Sequence, residues 1–376
     1  MKKKSFLSFV TLTCVTSLIP GMNASGKILS YNAIVDINFK GQDGTKVNGI
    51  STYKSITSAV SSAPTSSTNK YVIHIKKGTY YEKVTVNKPN ITFIGEDRDK
   101  TKITYDVANS TKKPDGTTYG TFGSASLSVI APNFSCENLT VENSFDYPSN
   151  KAKASNDPTK LPNPQAVALK LDENSEKAYI KNCKLDGYQD TLYCNKGTSY
   201  FTHCFIAGSI DFIFGAGQSF FNECEIISKD MDCKSCNGYI AAPSTLIENK
   251  YGFVFYKCNI KKGDKKMASN SVALARPWHP TTSFSDGTRK ANPDAIGSAV
   301  YIDCYLDSHI KTTGWDKMHG KDKDKNLIWF LPEDSRFYEF NSKGPGADVN
   351  PSRRQLSENE AKSYEKKYVL NGWIPK

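Results

Sequence analysis

Three stretches decide how this chain folds: Tyr179-Ile-Lys-Asn-Cys183-Lys-Leu185, Phe201-Thr-His-Cys204-Phe-Ile206 and Phe221-Asn-Glu-Cys224-Glu-Ile226. Each reads aromatic or aliphatic, two further residues, Cys, any residue, aliphatic. The cysteines fall 21 and 20 residues apart. Looser copies surround Cys136, Cys258 and Cys304, at gaps that fit one or two such periods with inserted loops. A short period built from β-branched, aromatic and small residues is the mark of a stacked-strand solenoid. Between Val72 and Val107 the chain is again short apolar bursts cut by Lys-Gly, Lys-Pro-Asn and Gly-Glu-Asp turns. Helical spacing returns only near the ends, at Ile56, Ala59 and Val60, and after a Ser357/Glu360 capping box. The expected architecture is a single right-handed parallel β-helix with short capping helices, because terminal coils expose an apolar face and unpaired edges. Two polar insertions, residues 143–164 and 261–293, are expected to form the rims of a groove.

The repeat also stacks two acids. Asp190 lies seven residues after Cys183, and Asp211 seven after Cys204. Adjacent rungs would hold them about 4.8 Å apart. Two carboxylates that close do not both ionise easily, so one proton affinity rises while the other stays low. Such a pair supplies an acid and a nucleophile. Leu274-Ala-Arg-Pro-Trp278 adds a guanidinium able to hold one aspartate charged through a bidentate contact. Its indole offers a flat surface to a sugar ring. Gln165 and Gln189 are neutral amide donors suited to a developing oxyanion.

Composition narrows the functional classes. The 376-residue chain carries a formal net charge of +11, pointing to a polyanionic partner. Scattered lysines and the lack of a nucleic-acid reader motif speak against nucleic acid. Lys2–Lys4, the apolar run Phe6–Ile19 and small residues around Ala24 have the layout of a secretory signal, leaving residues 25–376 as one exported, extracellular domain. No other segment is long and apolar enough for a membrane span. The cysteines read as ladder packing, with Cys204–Cys224 the pair expected to bridge. Cys233-Lys-Ser-Cys236 has a metal or redox spacing but no second half, and reads as a loop. No His or carboxylate cluster suggests a metal, and a capped solenoid is expected to be a monomer.

Five blocks in order carry a resemblance: Gly78-Thr-Tyr-Tyr-Glu-Lys-Val84, Gln165-Ala-Val-Ala-Leu169, Gly187–Tyr193, Asp211-Phe-Ile-Phe-Gly215 and Leu274–Trp278. On these the chain resembles the pectin methylesterases (pectinesterases), most of all the bacterial type, from about Tyr31 to the C-terminus. The resemblance implies an enzyme without cofactor that hydrolyses methyl esters at C6 of galacturonate units in pectin. It implies Asp211 as nucleophile, Asp190 as acid and base, Gln189 and Gln165 as oxyanion donors, and Arg276 as the group orienting Asp211. Trp278, Phe214, Tyr193, Thr121 and Met318 fall where the family lines its sugar groove. One departure is Ala275, where the family usually has glycine. Two alternatives stay open on the residues alone: a glycosidase or lyase on the same scaffold, and a non-catalytic polysaccharide-binding β-helix.

Overall fold

The computed structural model describes residues 30–375. The expected signal segment falls outside the described residues. Three parallel sheets of twelve, eight and seven strands run the length of the molecule, each coil contributing one strand to each sheet through most of it. This is a parallel β-helix. Its hydrogen bonds join one coil to the next, so inward side chains stack on like neighbours. Phe201, Phe221, Phe255 and Tyr301 form an internal column with ring centroids 4.7, 4.7 and 4.4 Å apart. That separation is close to the inter-strand spacing itself.

The cysteines mark one corner of the coil. The residue before each of them, Asn182, His203, Glu223, Lys257 and Asp303, has a positive φ between 47° and 54°. A single left-handed residue turns the chain from the twelve-stranded sheet into the eight-stranded one, and the following side chain points inward. Backbone amides confirm the ladder: Phe205 N donates to Cys183 O, Glu225 N to Cys204 O and Asn259 N to Cys224 O. Cys136 is not part of it. It pairs with Ile180, three residues earlier in the coil, and Leu139 takes the ladder position, accepting from Lys184 N.

The expected Cys204–Cys224 bridge is not formed; both are buried free thiols. In-register rungs carry parallel Cβ atoms at strand spacing, wider than the 3.5–4.5 Å or so a disulfide spans. The Cys204 thiol instead donates to the Ile180 carbonyl at 3.4 Å.

The helix Ile56–Ser62 buries Ile56, Ala59 and Val60 against the first coils, with Ser55 as its N-cap and Glu82 accepting from the Ile56 and Thr57 amides. At the other end the Ser357/Glu360 capping box forms as expected at the helix Glu358–Lys362. This helix and the next, Lys366–Val369, lie along the outer flank of the twelve-stranded sheet. Ala361, Val369 and Leu370 pack there with Tyr200, Phe220, Val254 and Val300. The last coil is also clamped by a buried ion pair, Arg353 on Glu339, at 2.6 and 2.7 Å.

Candidate active site

The seven-stranded sheet positions the site. Its strands Leu192–Cys194, Ile210–Gly215 and Gly238–Pro243 are consecutive neighbours. Leu192 pairs with Ile213, so Asp190 and Asp211 come to the same edge of adjacent rungs, and Asp190 N donates to Ile210 O at 3.0 Å. Both aspartates have positive φ, 66° and 49°. Between Ile210 and Ile213 the register against Tyr239 and Ala241 slips by one residue. That β-bulge swings Asp211 out of the alternation and aims it at the groove. Glycines permit the tight approach in both rungs. A Cβ on Gly187 would meet Thr191 Oγ1 at 2.7 Å, and one on Gly208 would meet Phe212 Cβ at 2.2 Å. Gly-x-x-Asp in two successive coils is therefore a geometric requirement.

The electrostatics of the two acids differ. Arg276 grips Asp211 with both prongs, Nε on Oδ1 at 2.8 Å and a terminal nitrogen on Oδ2 at 2.5 Å. The guanidinium lies flat on the Tyr239 ring, 3.7 Å from its centroid. Burial works against the Arg276 charge, but the Asp211 carboxylate outweighs it and raises its proton affinity. Asp190 makes no such pair. Burial, and then the charge of Asp211, push its carboxyl well above the ordinary aspartate range, against a smaller downward pull from Arg276. One acid is paired with an arginine, and its unpaired neighbour is shifted towards the protonated form.

A cavity of about 320 Å³ opens over the pair, lined by Thr121, Phe122, Gln165, Gln189, Asp190, Asp211, Phe214, Ala242, Arg276, Trp278 and Met318. Gln165 Oε1 is buried there without a hydrogen-bond partner. Of the residues named from the sequence, all but Tyr193 border this cavity. Tyr193 is 4 % exposed and lies beneath it, sandwiched between Phe122 and Phe214 at 4.6 and 4.7 Å. Trp278 tilts against Phe214 at 5.6 Å. Ala275 sits in extended strand backbone with its methyl in the core, so the added carbon leaves Arg276 in place.

Sequence reasoning missed Phe122. It sits on the short helix Gly120–Gly123, in a loop that forms one wall of the cavity. Of the two expected insertions, 261–293 contributes Arg276 and Trp278 to the lining and 143–164 contributes no lining residue. Lys83 anchors this shelf by donating to Gly123 O and Ala125 O at 2.7 and 2.6 Å. Burial, then Lys170 and Lys113, lower that amine to about 8. Met318 comes from a separate hairpin, Met318–Lys321 with Leu327–Phe330. Nothing local in the sequence announces either wall, because both reach the groove through tertiary packing.

The fold and its groove define a β-helical hydrolase, and the comparisons agree on that class. The pectinesterase family model matches residues 45–372. The chain is 44% identical to pectinesterase A of Dickeya chrysanthemi over 349 residues, 92% of each protein. A solved pectin methylesterase in complex with a hexasaccharide superposes with TM-score 0.87 at 44% identity, covering 93% of this chain and 99% of that one. The Yersinia enterocolitica pectin methylesterase superposes at 0.83 with 48% identity, over 86% and 100%. The chain belongs to the pectinesterase family.

Proposed function

We propose that this protein removes methyl esters from the C6 carboxyls of galacturonate units in pectin, releasing methanol and leaving pectate. The observation that carries the reading is the asymmetric acid pair: Asp211 clamped by both prongs of Arg276, with Asp190 buried beside it and its carboxyl pushed well above the ordinary aspartate range. In the mechanism an Asp211 oxygen attacks the ester carbonyl carbon. The Gln189 and Gln165 amides donate to the oxyanion that forms. Collapse expels methoxide, which takes the Asp190 proton and departs as methanol. Water then attacks the substrate carbonyl of the acyl-enzyme, giving its proton to Asp190, and the anhydride breaks to return Asp211 as carboxylate. Thr121, Phe214, Trp278 and Met318 grip the sugar chain, with Tyr193 supporting them from below. The +11 net charge suits a product that grows more anionic with every turnover.

Methanol release from methylated pectin, with rapid acid quenching and peptide mass analysis to find an acyl group on Asp211, tests the mechanism. New reducing or unsaturated chain ends without methanol would overturn it in favour of glycosidic cleavage. The basic and apolar stretch ending near Ala24 supports export, with residues 25–376 as the mature domain. N-terminal sequencing of the exported protein checks that boundary.

A further inference from the structure

The segment from Met231 to Asn237 joins the eight-stranded sheet to the strand carrying Tyr239, and the two ends of this excursion are pinned together. Asn237, 1 % exposed, accepts from Met231 N at 2.6 Å, and its side-chain amide donates to Asp230 Oδ1 at 2.8 Å. Lys151 Nζ donates to Met231 O. The turn held between these anchors carries Cys233 and Cys236. They differ from every other cysteine among the described residues. The other seven are buried, whereas Cys233 is partly exposed and Cys236 exposed. Hydrogen bonds from the Ser235 and Cys236 amides lower the Cys233 thiol from its ordinary value, the usual condition for an attacking sulfur. Cys236 Sγ lies 3.1 Å from the Tyr239 hydroxyl. The Tyr239 ring is the surface on which Arg276 rests, and Arg276 holds Asp211.

We propose that Cys233 and Cys236 form a reversible disulfide whose state is transmitted to the Asp211 clamp through Tyr239. Only two residues separate the cysteines in the chain, so the bridge would close a short turn whose ends are already pinned by Asn237. The oxidant is a low-molecular-weight disulfide. The Cys233 thiolate attacks one of its sulfurs and expels a small thiolate. Cys236, after losing its proton, attacks the Cys233 sulfur of the mixed disulfide and expels the second. The protein loses two hydrogens and two small thiols are released. Bridging removes the Cys236 proton and draws its sulfur away from Tyr239, so the phenol loses its partner and the ring beneath Arg276 is less firmly held. Tyr239 is thus a positioning residue, and its loosening should lower kcat about two- to fivefold, the scale of one cation–π contact, with KM unchanged.

The test incubates the whole enzyme with oxidised glutathione, then combines alkylation, peptide mass mapping and methanol-release kinetics. The expected result is loss of two hydrogens in the peptide containing Cys233 and Cys236, with the fall in kcat reversed by dithiothreitol. Cys233→Ser should keep the turnover of the reduced enzyme and ignore the oxidant. Tyr239→Phe should still form the bridge but turn over equally in both states. Two alkylatable thiols remaining in that peptide after oxidation would overturn the bridge. A bridge that leaves kcat unchanged, or an oxidant response that persists in Cys233→Ser, would overturn the coupling. The coupling rests on Arg276 serving Asp211 in ester hydrolysis, whereas the bridge does not. An enzyme releasing no methanol in either state would count against the proposed function, while the mass map would still decide the bridge.

Discussion

On the outer face of the twelve-stranded sheet, Tyr200, Phe220, Val254 and Val300 stand in register on successive rungs. On the outer face of the seven-stranded sheet, Tyr193, Phe214 and Ala242 do the same. The chain covers the former row with its own C-terminal segment, bringing Leu356, Ala361, Val369 and Leu370 onto it. It covers the latter row only in part, with Phe122 and Trp278 as walls: Tyr193 is buried under Phe122, while Phe214 and Ala242 border the cavity. Both rows are apolar, and burying either is favourable by roughly 25 cal/mol per Å². The difference is what lies above them. The former row is sealed by a chain segment that contributes stability; the latter forms part of a cavity wall, and the bulge and glycine turns that set the acid pair lie beside it.

Mutations on the two faces should separate these roles. The largest effect is expected at the groove face. Asp211→Asn should cut methanol release by about 10³-fold or more, with unchanged circular dichroism; near-normal turnover would remove Asp211 from the chemistry. On the covered face, Leu370→Ala should destabilise by about 2–5 kcal/mol, seen as a lower urea midpoint, while kcat and KM hold at 25 °C. A change in KM without loss of stability would erase the distinction between the faces. Trp278→Ala should raise KM about tenfold, the scale of one lost ring contact, and shift the urea midpoint far less than Leu370→Ala does.

The smallest effect concerns stability against pH. Below the ordinary aspartate range Asp190 is protonated in both folded and unfolded chains and costs nothing. As pH rises the unfolded chain ionises before the folded one, since burial and Asp211 raise the folded affinity. Stability is therefore lost until Asp190 itself ionises. Asp190→Asn should match the wild type in melting temperature near about pH 3 and exceed it increasingly towards neutral pH. An Asn variant less stable than wild type at neutral pH would contradict this.

Much of this was legible in the sequence, and the gaps have physical causes. The cysteine-centred spelling exposed the rung period because an inward cysteine follows the left-handed corner in five of the coils. The same spelling misplaced Cys136, since a cysteine inside a strand and one after a corner look alike when aromatic residues flank both. Glu223 and Lys257 occupy those corners without being residues that favour positive φ, so the turn could not be read from them. Asp190 and Asp211 were found because each falls seven residues after a ladder cysteine. Phe122 and its Lys83 anchor were not, because their partners lie far away in sequence. The stacked Cys204 and Cys224 suggested a bridge because vertical proximity was legible and side-chain direction was not.

The single extra residue between Ile210 and Ile213 has evolutionary weight. Deleting one codon there would straighten the pairing with Tyr239 but break the alignment with the preceding rung that sets Asp211 beside Asp190. The inherited length of this one turn, more than the identity of the ring residues around it, therefore decides whether two carboxyls meet.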